Sequence, residues 1–360
     1  MHSSSIQDEL SEIITYKSTA TNHPVLAKQA DYLYKSLSKR LNTEMIISSN
    51  IPSIFSSSQN TKHPKVLLQA HIDVVPAKDE LFSLISDQEK LFGRGVFDMK
   101  FAAACFLQLV KDLGADLDNY DFGILFTSDE EIGGENGVAA VLEKGISAEV
   151  CILPDGGDNW QIEESCNSVW IIKIIASGES AHGSRPWEGD NAVDKLLEVI
   201  NSVKSFFTNE KYYNTLTVSQ INGGCALNQV PESAWASLDM RFIDEHNYSQ
   251  MRVRIEEIIH TSGLEIETIA HVGATKLNKE HPLVNNFISI VKEKSPVEFG
   301  FTHSLGSSDA HYFESRNIPT ILMRPRGGGA HSDHEWIHKS DLDLYYEVLK
   351  EFIIKNAKIS

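Results

Sequence analysis

Residues 65–75 read KVLLQAHIDVV, and residues 121–127, DFGILFT, have the same character: a mostly apolar run behind one leading charged residue. Runs that are apolar at consecutive positions, rather than alternate ones, are expected of strands covered on both faces. Working outward, residues 99–114 and 136–145 carry a helical period, and another apolar run fills 149–154. Strands alternating with helices imply an α/β fold: a mostly parallel sheet with helices on both faces. Upstream, the spacing predicts an amphipathic helix over 22–42, with Leu26, Ala30, Leu33, Leu37 and Leu41 on one stripe and Asn22 as cap. The Ser-rich stretch 49–63, SNIPSIFSSSQNTKH, reads as a surface loop or weak edge hairpin.

The pattern changes near residue 168. Strand 169–176, helix 190–207, strands 214–221 and 233–243, helix 247–261 and strand 264–270 form the β-α-β-β-α-β order of a ferredoxin-like α+β unit. The first pattern then resumes with helix 283–294, strand 319–323 and helix 340–356. The expected architecture is a discontinuous domain of residues 1–168 and 277–360, interrupted by an inserted domain of residues 169–276.

At 360 residues, with 41% hydrophobic and 23% charged side chains, the chain has the composition of a globular protein of more than one domain. Its 32 basic and 50 acidic residues give a formal charge of −18, which opposes binding to nucleic acid or to anionic lipid. No apolar run approaches the ~18 to 20 residues that cross a bilayer. The opening MHSSSIQDELSEIIT lacks the basic start and apolar core of a signal peptide. Four scattered cysteines, Cys105, Cys151, Cys166 and Cys225, with no CxxC pair, suit a reducing cytoplasm. A cytoplasmic enzyme is the expected class.

Polar residues that look out of place gather at the ends of the expected parallel strands, where open α/β sheets build their sites. His71 and Asp73 share one face of a strand, so Asp73 can orient the imidazole of His71. That histidine is either a ligand or base, or a core residue satisfied by its neighbour. Gly93-Arg94-Gly95-Val96-Phe97-Asp98 delivers Asp98 to the start of a helix, as a cap or as a functional carboxylate. Asp129-Glu130-Glu131 follows FGILFT, and three successive carboxylates repel one another unless cations or solvent intervene. Asp155 precedes two glycines, and Gly327-Gly328-Gly329-Ala330-His331-Ser332-Asp333-His334-Glu335 follows the last short strand. Two histidines and several carboxylates without a thiolate suit zinc, manganese or cobalt, in number enough for two ions sharing a carboxylate.

The ordered segments AHIDVVP, LFGRGVFDMK, TSDEEIGG, LPDGG and GAHSDHE resemble the co-catalytic zinc peptidase and deacylase family. That family holds aminoacylase, acetylornithine deacetylase, succinyl-diaminopimelate desuccinylase, carboxypeptidase G and the carnosinase-like dipeptidases. The resemblance implies two divalent metal ions per chain. His71, Asp98 and Asp155 would hold one, and Asp98, Glu131 and His331 the other, with Asp98 bridging. It makes Glu130 the general base for a metal-activated water and Asp73 the residue orienting His71. It makes the Asp98–Met99 peptide bond cis and gives Glu335 a supporting role to His331, with His331 rather than His334 as ligand. Ser180-Ala181-His182-Gly183-Ser184 resembles a lid-domain histidine motif, so His182 would be a catalytic residue supplied across a dimer formed through the inserted domains. Asn228 and Arg241 match motifs that bind the substrate carboxylate, and Ser307-Ser308-Asp309 matches a loop near the substrate.

The implied activity is hydrolysis of the amide bond of small N-acyl amino acids, the alternatives being a dipeptidase or a non-catalytic binding relative. Two departures bear on it. Asp155 stands where the deacylase branches usually carry glutamate, which leans toward peptides, whereas the compact length leans toward deacylases. Met323-Arg324-Pro325-Arg326 brings two cations where the family usually shows an acidic or aromatic residue and glycine. Those cations either meet a carboxylate or lie exposed.

Overall fold

The apolar runs KVLLQAH and FGILFT become adjacent parallel strands at the centre of a six-stranded sheet. In the computed structural model, which describes residues 2–359, its strands are β1 (Asn42–Ser48), β2 (Ile51–Ser57), β3 (Val66–His71), β4 (Phe122–Thr127), β5 (Val150–Ile152) and β6 (Thr320–Ile321). Their order across the sheet is β1-β2-β4-β3-β5-β6. The pairs β4–β3, β3–β5 and β5–β6 are parallel, and β1–β2 and β2–β4 are antiparallel. The sheet is therefore mostly parallel, as the unbroken apolar runs imply. Helix His23–Leu37 packs on β2 and helix Lys100–Leu113 on β3.

Of the two readings of the Ser-rich segment, the structure takes the edge hairpin, with Ile51–Ser57 pairing antiparallel with Asn42–Ser48. Ile51–Ser57 is no surface loop: every residue is buried, with a strand bonded on either side. Serine is small enough to sit between covering layers, and its hydroxyl is tolerated where it finds a partner. Ser56 Oγ lies 2.9 Å from Thr43 Oγ1, and Ser57 Oγ accepts from the backbone N–H groups of Gln59 and Thr61 at 3.3 and 3.2 Å. Composition alone reads as solvent exposure because these bonds form only after folding.

Smaller differences follow from local chemistry. The helix expected over 22–42 ends at Leu37, and Asn22, although at its N-cap position, donates to Lys17 O instead of capping. Leu41 is still buried. Helix His2–Ile14, absent from the sequence reading, buries Ile6, Leu10, Ile13 and Ile14. The helix expected over 136–145 is a π-turn, Glu135–Ala139, running into a short α-helix, Ala140–Glu143. The strand expected over 319–323 is bonded only at Thr320–Ile321.

The chain divides into two compact units. One comprises the residues up to Glu164, Leu277–Thr302 and those from Ser308 onward; the other comprises Ser165–Lys276 and His303–Ser307. The second holds strands β7 (Ser168–Ser177), β8 (Thr215–Gly223), β9 (Ser233–Phe242) and β10 (Glu265–Val272), with helices Ala192–Lys204 and Glu245–Thr261. They form an antiparallel sheet in the order β8-β9-β7-β10, the topology of a split βαβ unit. Its core, with Trp170, Ile172, Leu196, Leu238, Ile255 and Ile259, is separate from that of the first unit.

Candidate metal centre

In the parallel register His71 stands opposite Thr127, so the residues after β3 and β4 leave the sheet at the same level. β5 and β6 run in the same direction and carry Asp155 and Arg324 just beyond their ends. Four strand ends thus place polar residues at one edge of the sheet.

A loop adds the carboxylate that joins them. Gly95 has φ +84°, and a Cβ there would come within 3.0 Å of the Lys100 and Val74 side chains, so the turn requires glycine. The buried carboxylate of Glu335 accepts from Arg94 Nη1 at 2.7 Å and from the N–H groups of Gly95, Phe97 and Asp98 at 2.9, 2.9 and 3.0 Å. The Asp98–Met99 bond is cis, as the resemblance implies. Helix Lys100–Leu113 has no side-chain cap, so Asp98 is not spent on the helix. Its Oδ1 lies 3.3 Å from His71 Nε2 and its Oδ2 3.3 Å from His331 Nε2. One carboxylate therefore faces two imidazoles, one per oxygen.

The remaining groups close around Asp98. His331, held at φ +63°, also has Nε2 3.2 Å from Glu131 Oε2. Potential donor atoms of His71, Asp98 and Asp155 all lie within 4.8 Å of one another, as do those of Asp98, Glu131 and His331, and of His71, Glu130 and Glu131. His334 is exposed and belongs to none of these groups.

Asp73 meets His71 as expected, but chiefly through its carbonyl, and the support from Glu335 goes elsewhere than expected. The Asp73 carboxylate does not make the short contact to His71: Nδ1 is 3.0 Å from the Asp73 carbonyl oxygen and 3.6 Å from Oδ1. A carbonyl can only accept, so Nδ1 carries a proton, and Nε2 is the nitrogen that faces Asp98. The Asp73 carboxylate instead accepts from the N–H groups of Glu130 and Glu131 at 3.3 and 3.0 Å, fixing the 3₁₀ turn that presents both. Glu335 likewise supports the Asp98 loop rather than His331. Asp129, the first of the three carboxylates, is buried and accepts from Asn136 and Gly137 N–H, which starts the π-turn. Its role is structural, and the cluster is not a solvated loop.

Electrostatics show how crowded the cluster is. Burial, then repulsion from Asp155, pushes Glu130 well above the usual carboxylate range. Burial, then Asp98, pushes Asp155 up to about 7. Burial raises Asp98 too, but hydrogen bonds from His331 and His71 outweigh it and hold its carboxyl well below the ordinary value. Hydrogen bonds to Asp98 and then Glu131 push His331 up to about 10. Carboxylates are packed here beyond what the neighbouring cations neutralise, and the donors are oxygen and imidazole nitrogen. Such a set fits divalent zinc-like cations.

Neither arginine of the MRPR segment lies free. Arg326 makes a two-pronged bond to Asp341 at 2.7 and 2.6 Å. Arg324 Nε donates to Asp158 at 2.9 Å, while Nη1 faces Asp98 Oδ1 at 3.4 Å and Asp155 Oδ1 at 3.8 Å. Asp309 is buried with Oδ1 against Gly134, where a Cβ would come within 2.2 Å, and the hydroxyl of Tyr312 donates to Gly133 O at 2.6 Å. The Tyr312 bond and the close packing of Asp309 hold the loop after Glu131. In the sequence, the only signal for Arg324 is its departure from the family pattern, and Tyr312 gives none.

The other expected site residues belong to the second unit. His182 is exposed, with Nδ1 2.8 Å from Ser184 Oγ, and it bridges to Gln229 while Gly183 N–H donates to Asn228 O at 2.7 Å. His182 and the Asn228 segment are thus neighbours. Arg241 forms a two-pronged bond to Asp239 at 2.6 and 2.8 Å. Asn191 caps helix Ala192–Lys204 through the Val193 and Asp194 N–H groups.

A parallel α/β sheet with this carboxylate–imidazole cluster at its strand ends defines a metal-dependent hydrolase. Residues 67–355 match peptidase family M20/M25/M40, and the chain belongs to that family. The succinyl-diaminopimelate desuccinylase of Corynebacterium glutamicum is 28% identical over 295 residues, which cover 77% of this chain and 75% of that one. Among solved structures, aminopeptidase PepT from Bacillus cereus superposes with a TM-score of 0.82 at 17% identity, covering 99% of both chains. A tripeptidase from Staphylococcus aureus gives 0.80 at 17% identity, covering 98% of this chain and 97% of its own. At such identities these structures speak for the fold. No helix among the described residues is long and apolar enough to cross a membrane.

Proposed function

We propose that the chain hydrolyses the amide bond of small N-acyl amino acids, in the manner of a deacetylase or desuccinylase. It would hold two zinc ions, one at His71, Asp98 and Asp155 and one at Asp98, Glu131 and His331. The observation that carries this reading is the Asp98 carboxylate, which turns one oxygen to His71 and the other to His331 at 3.3 Å each. Ions bound there supply Lewis acidity toward a carbonyl and acidify water. Glu130, presented by the turn that Asp73 fixes, takes the proton of the attacking water and delivers it to the leaving amine. Arg241 and Asn228 hold the α-carboxylate of the substrate, which must compete with Asp239 for the guanidinium. His182 acts from the partner copy of a homodimer formed through the second unit, donating to the developing oxyanion. The setting is the cytoplasm, in keeping with four cysteines that form no disulfide among the described residues.

The desuccinylase relative supports the acyl side. The second reading, a dipeptidase, is favoured by Asp155 in place of glutamate. Both are tested by offering N-succinyl and N-acetyl amino acids beside unblocked dipeptides, with zinc, cobalt or manganese supplied. Turnover of the N-acyl compounds is expected. Turnover of dipeptides alone would replace the first reading by the second.

A further inference from the structure

Arg324 is held as few surface arginines are. Its backbone N–H donates to Gly157 O at 3.1 Å and its carbonyl accepts from Trp160 N–H at 2.8 Å. The guanidinium lies 4.5 Å from the centroid of the Phe97 ring, and Nε is fixed on Asp158. Ring, anchor and backbone leave it little freedom, and its side chain is only 11% exposed. Nη1 is buried without a hydrogen bond, an uncommon and unfavourable state for a charged donor. It points at Asp98 and Asp155, two of the three residues in the ligand set that contains His71. The Asp98 oxygen that it faces is Oδ1, the one that also faces His71. Of the Asp98–Glu131–His331 set it meets only the shared Asp98, through the oxygen turned to His71, and it forms no ion pair with Glu131.

We propose that Arg324 is a resident cation of the His71–Asp98–Asp155 set, opposing a divalent ion there while leaving the Glu131–His331 side largely untouched. The physical reason is local. A fixed positive charge beside two ligand carboxylates reduces their attraction for a second cation, and burial limits the screening that would mute the effect on a surface. The protein should then load its two ions unequally. The inference rests on the two-ion reading above.

The test is a titration of the chelator-stripped full-length protein with zinc, read by calorimetry and by bound metal per chain after dialysis. Wild type is expected to show two classes at least tenfold apart. Arg324→Met should tighten the weaker class by about tenfold, roughly 1.4 kcal/mol, and move the tighter class less than threefold. Arg324→Lys, which keeps the charge, should stay closer to wild type. His331→Ala, which removes the other set, should leave the weaker class for assignment. Should Arg324→Met fail to fold by circular dichroism, Arg324→Gln takes its place with the same expectation. Two ions bound with affinities that Arg324→Met leaves unchanged would overturn the role of Arg324 alone. Equal tightening by Arg324→Lys would do so as well. One ion per chain in wild type and variant alike would overturn the two-ion reading and this inference with it.

Discussion

The carboxylate of Glu335 accepts the backbone N–H of Asp98 at 3.0 Å, and the same carboxylate holds Phe97, Gly95 and Arg94. A residue far along the chain thereby sets the position of the carboxylate that two imidazoles share. Removing it leaves the Arg94 guanidinium, itself buried, without its partner. Glu335→Ala should lower stability by about 3 to 5 kcal/mol, as loss of one member of a buried ion pair does. It should also reduce bound metal at both ligand sets, because Asp98 serves each. Denaturant unfolding and metal analysis check the two effects, and an unchanged metal content in folded variant would contradict the second.

Asp98→Ala and His331→Ala should differ in kind. The first removes the shared carboxylate and should bring bound zinc close to zero per chain. The second should spare the set containing His71 and leave about one ion. Metal analysis after dialysis separates these outcomes; equal losses would argue against a bridging role for Asp98.

Glu130→Gln preserves shape but cannot take a proton. We expect kcat to fall by roughly 10² to 10⁴ while both ions stay bound. Should metal be lost instead, Glu130 is the ligand and Glu131 the base, an exchange that the grouping of His71 with both glutamates makes worth testing.

His182→Ala should lose turnover but keep both ions. Mixed with Glu130→Ala under conditions of verified subunit exchange, it should regain activity. Random pairing makes about half the dimers mixed, each with one whole site of two, giving roughly a quarter of wild-type rate. Absence of recovery would exclude action across the dimer.

Glu314 offers a test of stability against pH at some remove from the metal ligands. Burial pushes its carboxyl up to about 7 in the folded chain, while it accepts the Thr320 N–H at 3.2 Å. A raised carboxylate pKa means that the folded state binds the proton more strongly than the unfolded one. The associated stability is therefore present below pH ~4.5 and lost as pH rises through about 7. Glu314→Gln keeps the acceptor and removes the ionisation. Relative to wild type it should gain about 1 to 2 kcal/mol, a few degrees in Tm, between pH 5 and pH 8. Melting curves across that range check the slope; parallel curves would contradict it.

Much of the framework was legible before folding. Unbroken apolar runs such as KVLLQAH have one stable solution, a strand covered on both faces, and the β-α-β-β-α-β order of residues 169–270 needs only local periodicity to be read. His71, Asp98, Glu130, Glu131, Asp155 and His331 stood out because each interrupts or follows such a run. The sequence thus determined the four parallel strands of the sheet, the helices between them and the chemical types gathered at the strand ends. Tertiary structure decided what those side chains touch. Ser56 is buried because Thr43 arrives beside it, and the Asp73 carboxylate serves the Glu130 turn because its own carbonyl already meets His71. Glu335 and Arg324 act on Asp98 across long separations in the chain. Periodicity reports the face on which a residue lies, whereas hydrogen bonds and ion pairs act over about 3 to 4 Å, a distance set only when remote segments are packed together.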